Sequence, residues 1–190
     1  MSVKVDLKQS QRSYYTAPIE PELRVIEPGT FLVIEGTGEP GGPEFQSAVS
    51  ALYSVAYTAK FQLKLEGRDF VVGPLEGDWW PDGTWRWRLM IRVPDSVDSF
   101  LVKLVKQSVV DKKGILRAAD VTLEAIPEAR CVQVLHVGPY ATEREDIHRM
   151  EELMEAEGLA AAGPHHEVYL NDPRRVGPER VRTILRQPVR

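Results

Sequence analysis

The same succession of elements runs twice through this chain. A strand-like run, a Gly/Pro break, an amphipathic helical segment, a second strand-like run, a turn and a third strand-like run fill residues 19–94, and the order recurs in 119–190. Strands place side chains with a period of 2 and helices with a period of 3.6, so the two patterns separate by eye. In the first copy, Leu23–Glu35 reads as a strand broken at Pro28-Gly29. The loop Gly36–Pro43 follows, and then a helix over 44–60 whose stripe is Phe45, Ala48, Val49, Leu52, Ala56 and Ala59. Pro43 suits the first helical position, where no amide donor is needed. Phe70–Leu75 reads as a strand and Asp78–Gly83 as a turn. Trp85, Trp87, Leu89, Ile91 and Val93 then alternate with Arg86, Arg88, Met90 and Arg92, which predicts one buried and one wetter face.

In the second copy, Val121–Ile126 and Arg130–Val137 read as strands around a turn at Pro127-Glu128. Gly138-Pro139-Tyr140 breaks the second of these. Thr142 and Glu145 have capping-box spacing for a helix whose stripe is Ile147, Met150, Leu153 and Met154, with Gly158 as its natural stop. His166–Asn171 and Val181–Arg186 complete the copy. Local chemistry echoes as well: Val33–Gly38 against Val134–Gly138, and Arg92-Val-Pro94 against Arg186-Gln-Pro188. An internal duplication is expected. The expected fold class is α+β: two pseudo-symmetric strand–helix–strand–strand units forming an antiparallel sheet, with helices on one face and a central ligand cleft. A connector helix over 95–118, capped by Asp95 or Ser96 and striped by Val97, Phe100, Leu101, Leu104 and Val105, would join the units. Residues 1–18 would form a loose N-terminal arm or edge extension.

Bulk properties narrow the function. Of 190 residues, 43% are hydrophobic and 27% charged, enough for a sizeable core. No stretch approaches the roughly 20 apolar residues of a membrane span, and the charged start carries no secretory signal. A single cysteine, Cys131, rules out an intrachain disulfide and favours a reducing, cytoplasmic setting. The net charge of −4 and the lack of a helix-turn-helix or finger pattern argue against direct DNA binding. Arg180, Arg182 and Arg186 read as a solvated sheet face. His165 and His166 are adjacent and point to opposite faces, a poor metal pair. The loop 36–43 lacks the Gly-Lys-Ser/Thr ending of a phosphate loop. No metal and no cofactor is expected, and Cys131 reads as inert core.

Candidate site residues come from strand alternation and aromatic clustering. Glu167 and Tyr169 share one face of their strand, while Val168 and Leu170 point the other way, into the expected helix-packed core. That puts the carboxylate and phenol on the face opposite the helices. On open surface they would be unremarkable. In a cleft, Glu167 would need a partner or a raised pKa, and a cationic ligand would serve. All four tryptophans lie between residues 79 and 87. Trp85 and Trp87 suit core packing. The adjacent Trp79 and Trp80 cannot both face one core, so at least one suits stacking on a planar or cationic ligand. Tyr53 and Tyr57, one helical turn apart, edge the cleft or seal the core rim. Tyr140 stands at a strand-to-helix junction that can project a phenol, and His136 nearby reads as structural or as a base.

His136-Val-Gly-Pro-Tyr140, the helix from Thr142, Gly163–Pro173 and Pro178–Pro188 resemble the GyrI-like small-molecule-binding family in order and spacing. The resemblance covers residues 20–190 in organisation and is strongest from 130 onward. It implies a pseudo-twofold pair of units around one cleft, an acidic residue there at Glu167, and aromatic walls with Tyr140 and Trp80 as counterparts. It implies bulky, cationic or planar ligands. Stand-alone relatives of this kind hydrolyse cyclopropane-bearing DNA-alkylating compounds. On that pattern Trp80 and its neighbours would stack the substrate, Tyr140 or Tyr169 would donate to its carbonyl, and Glu167 would activate water. A non-catalytic protein-interaction module of gyrase-inhibitor type is the alternative. The chain is expected to act as a monomer or weak homodimer.

Overall fold

The computed structural model describes residues 4–190. Residues 1–3 of the expected arm lie outside the described residues. The elements are α1 (Leu7–Ser10), β1 (Glu22–Ile26), β2 (Gly29–Thr37), α2 (Pro43–Leu65), β3 (Glu76–Trp79), β4 (Arg86–Val93), α3 (Ser99–Lys113), β5 (Thr122–Ile126), β6 (Ala129–Val137), α4 (Glu143–Ala156), β7 (His165–Tyr169) and β8 (Arg182–Pro188). All eight strands join one antiparallel sheet in the order β1-β6-β8-β7-β3-β4-β2-β5. The fold is α+β, and the duplication is visible in the pairing. Within each copy the second strand pairs with the last, and the last with the third. The copies meet where β3 pairs with β7. Their first strands are exchanged: β1 pairs with β6 of the second copy, and β5 with β2 of the first.

Helices α2, α3 and α4 lie on one face. Pro43 opens α2 as expected, but the helix runs on to Leu65 because Ala59 and Leu63 continue its buried stripe. It packs on Leu32, Ile34, Trp87, Leu89 and Ile91. In α3 the cap is Asp98, which accepts from Leu101 N at 2.8 Å, and Gly114 ends the helix in the left-handed region. Its buried side is Leu101, Val102, Val105 and Val109, so the expected stripe is rotated and Phe100 and Leu104 face outward. The Thr142–Glu145 capping box does not form: the Thr142 hydroxyl donates instead to Pro139 O at 2.8 Å.

Other expectations need correction. Phe70–Leu75 is not a strand. Phe70 makes a single bridge to Val5, and the ladder starts only after Gly73-Pro74, because proline has no amide to donate. Asp78 and Trp79 therefore belong to β3, not to a turn. Trp85 is exposed and has φ of 52°, so it sits outside the β4 alternation.

The largest difference is the second face of the sheet. It is covered by the arm, which is docked and not loose. Leu7, Tyr14 and Tyr15 are buried against Phe31, Val33, Met90, Leu135, Val168 and Ile184. Pro18 O also accepts from Leu135 N at 2.7 Å. Met90, Arg92 and Arg186 are consequently buried, so the wet face that alternation suggested survives only toward the strand ends, at Arg86, Arg88 and Arg182. Among the described residues no helix is long and apolar enough to cross a membrane.

Candidate functional site

Helix α2 packs on β2 and β4, and α4 packs on β6. The central strands β3 and β7 run between them and form the floor of a groove. Register fixes which side chains reach that floor. Trp79 lies across from Trp87 and from His165, and Gly77 across from Leu89 and from Glu167. Trp87 and Leu89 belong to the helix-packed core. Trp79, His165, Glu167 and Tyr169 therefore face the helices. The sequence had paired Glu167 with Tyr169 correctly but put them on the wrong face, because Val168 packs under the arm and not under a helix.

Gly77 opens the floor opposite Glu167. A Cβ there would stand 3.2 Å from Trp79 Nε1 and 3.4 Å from the Tyr169 hydroxyl. The space is used by a bond across the pseudo-twofold: Trp79 Nε1 donates to Tyr169 Oη at 3.0 Å. Phe45 of α2 stacks on Trp79 with ring centres 5.8 Å apart. Tyr140 meets Tyr169 edge to face at 5.9 Å. Tyr140 is 43% exposed, which leaves its phenol at the groove mouth. Tyr53 stacks on Tyr57 at 6.2 Å along the rim of α2. Tyr57 is exposed and continues outward to Phe61.

Of two further expected members, one turns away from the group and the other is locked in a structural role beside it. Trp80 turns to the other side of the sheet, where the Arg86 guanidinium covers its ring at 4.3 Å. His136 is buried with its ring nitrogens engaged: Nδ1 lies 2.7 Å from Asp146 Oδ2 and Nε2 lies 3.2 Å from Pro139 O. It ties β6 to the start of α4, the structural reading of that histidine.

Glu143 is the residue that sequence reasoning misses. It opens α4 three positions after Tyr140, a spacing that sets both on one side, yet it reads as an ordinary acidic first-turn residue. In the fold it is buried. Burial, then the charge of Glu167, push its carboxyl up to about 8. Thr183 works in the opposite direction, and Glu143 Oε1 has no hydrogen-bond partner. Burial raises Glu167 too, against the hydrogen bond of Tyr169 and the nearby histidines. Burial likewise pushes the Tyr140 phenol up to about 12, with Glu143 and Glu167 adding to the effect. At neutral pH the groove thus offers a phenol that stays protonated and two carboxyls that share less than two charges. No cluster suited to a metal ion occurs among the described residues.

A family model of the GyrI-like small molecule binding domain matches residues 105–190. No curated protein matches the chain. Among solved structures, an uncharacterized conserved protein from Listeria innocua is 38% identical, with a TM-score of 0.93 over 98% of this chain and 100% of that one. A hydrolase encoded by lin2189 from Listeria innocua is 36% identical, with a TM-score of 0.91 over 99% of this chain and 100% of that one. The EcmrR C-terminal domain shares the fold at 12% identity, with a TM-score of 0.60 over 90% of this chain and 97% of that one. Sequence identity along the whole length and the matched second unit agree: the chain belongs to the GyrI-like small-molecule-binding domain family.

Proposed function

We propose that the helix-side groove binds a flat, conjugated electrophile and adds water to it, opening a strained ring of the cyclopropane kind found in DNA-alkylating compounds. The observation that carries this reading is the buried pair Glu143 and Glu167: burial raises both carboxyls, and the charge of Glu167 helps lift Glu143 to about 8, which suits Glu143 to hold a proton and its neighbour to accept one. Trp79, Phe45 and Tyr140 supply flat apolar surface for the substrate. Glu167 takes a proton from water as the water oxygen bonds to the ring carbon. The ring C–C bond breaks, and its electron pair passes through the conjugated system to the carbonyl oxygen. Tyr140 donates a hydrogen bond to that oxygen, and Glu143 delivers the proton. The resemblance to a Listeria innocua hydrolase along the whole chain supports a hydrolytic reading.

Incubation with a cyclopropane-bearing alkylator, followed by mass spectrometry, tests it. A ring-opened, water-added product should form faster than in buffer. Glu167→Gln should lower turnover by about a hundredfold or more while the substrate still quenches Trp79 fluorescence. No acceleration, or full turnover by Glu167→Gln, would refute the hydrolase. A second reading rests on the same carboxylates: their uncompensated charge under an aromatic rim suits a bulky cation. Saturable quenching by rhodamine 6G with no turnover of any alkylator would favour that non-catalytic binder.

A further inference from the structure

A cavity lies on the arm side of the sheet, on the face opposite Glu167. Its volume is about 130 Å³. Engineered cavities of about 150 Å³ hold a benzene ring, so this one is sized for a compact ring or branched chain. It opens between the β1–β2 turn at Ile26 and Glu27 and the β5–β6 turn at Ile126 and Pro127, with Tyr14 of the arm, Phe31 and Met90 as further walls. Cys131 also lines it, and burial pushes its thiol up to about 11, so that wall stays neutral.

The inner end is cationic. Arg186 lines the cavity and is 1% exposed. Its hydrogen bonds go to neutral groups, from Nε to Gln133 Oε1 at 2.9 Å and from Nη2 to Tyr14 O. Its Nη1 has no partner. Asp78, Arg88 and His166 line the same end and pair with one another, while Glu76 is engaged through Oε2 and keeps Oε1 without a partner. Asp78 accepts from Arg88 at 2.6 Å and meets His166 Nδ1 at 2.8 Å. Glu76 Oε2 accepts from Tyr14 at 2.5 Å and meets His166 Nε2 at 3.0 Å. A buried guanidinium with an idle donor and no carboxylate of its own is an unfinished ion pair.

We infer that this cavity is a second ligand site and takes a compact organic carboxylate, with the anion on Arg186 and the apolar body between Ile26, Phe31, Met90 and Ile126. A planar guanidinium that already spends two donors within the fold still presents a third to one carboxylate oxygen. The walls are mostly apolar, with Arg186, Arg88, His166 and Asp78 gathered at the inner end and Glu27 at the mouth, and they favour an anion with a hydrocarbon body over inorganic phosphate, which would leave the apolar walls without contact. The site is separate from the groove, so its occupancy and the proposed hydrolysis stand or fall independently.

Benzoate, with benzamide as its uncharged isostere, is the probe. The full chain carrying 13C-methyl methionine reports through Met90 by NMR. Benzoate should shift the Met90 methyl saturably, and benzamide should bind at least tenfold more weakly. Arg186→Met should weaken benzoate at least tenfold. Because that substitution also cuts bonds to Gln133 and Tyr14, Ala129→Phe provides a second variant: it fills the cavity from the hairpin, keeps the polar network and should abolish the shift. No saturable shift, equal binding of benzamide, or an undiminished shift in a folded Ala129→Phe variant would overturn the inference.

Discussion

Glu143 and His166 titrate close to neutrality on opposite sides of the sheet, and both make the fold weaken in base. Burial alone would lower His166, but its bonds to Asp78 and Glu76 raise it to about 9. In an unfolded chain histidine titrates near about 6.5, so the folded state holds the extra proton between those values. The stabilisation from His166 is full below about pH 6.5 and is lost as pH rises through 9. Glu143, raised by burial and by Glu167 to about 8, also binds its proton more tightly when folded, and its contribution is lost as pH climbs toward 8. His165 acts in the other direction only in acid, because burial and the neighbouring His166 charge lower it to about 4. The urea midpoint is therefore expected to fall between about pH 6.5 and 9, and Glu143→Gln should flatten the part below 8. An unchanged slope in that variant would show that Glu143 is not held protonated by the fold. At this scale the sequence was partly legible. Alternation paired Glu167 with Tyr169 and separated His165 from His166, but a period of two does not say which face is covered. That depends on Tyr14 and Tyr15, whose arm has no repeating pattern to read.

Among the elements, the contact of β2 with β4 is the tightest. Gly36 lies across from Trp87, and a Cβ at position 36 would fall 2.2 Å from the Trp87 ring. Trp87 is fully buried, with the edge of Phe45 against it at 5.7 Å, so the ring has nowhere to retreat. Gly36→Ala should cost about 1–3 kcal/mol by overpacking, measured by urea unfolding, with an altered near-UV dichroism from a displaced indole. A fully stable variant with an unchanged spectrum would mean that β2 shifts freely against β4. The same ring links this strand pair to the groove, since Phe45 packs on both Trp87 and Trp79. The elements themselves were legible where a long periodic stripe met a clear boundary, as in α2 at Pro43. They were misread where a proline interrupts a β-rich run, as at Pro74, and where an apolar stripe is wider than the surface that covers it, as at Phe100 and Leu104.

The duplicated order of elements was legible from the sequence, but the exchange of first strands was not, because consecutive strands pair with each other by default. That exchange determines how the whole molecule holds together. β1 adds five residue pairs to β6 from Glu22 to Ile26, and β5 adds five to β2 from Thr122 to Ile126. Each unit thus lends an edge strand to the other, and the two also share the β3–β7 ladder at the centre. A unit on its own would expose the pairing edges of its second and third strands, and it would strand its first strand without a partner. Glu167 would lose Gly77 and Trp79 from across the ladder, and the groove would lose one wall. Fragments 4–114 and 115–190, made separately, should therefore show no cooperative unfolding transition, and equimolar mixing should restore one together with Trp79 quenching by a groove ligand. A fragment that unfolds cooperatively by itself at the midpoint of the intact chain would show that the exchanged strands are ornamental. Closing so many long-range ladders also places folding in the slow range for a chain of this size, so reassembly of the fragments should be slower still and dependent on concentration.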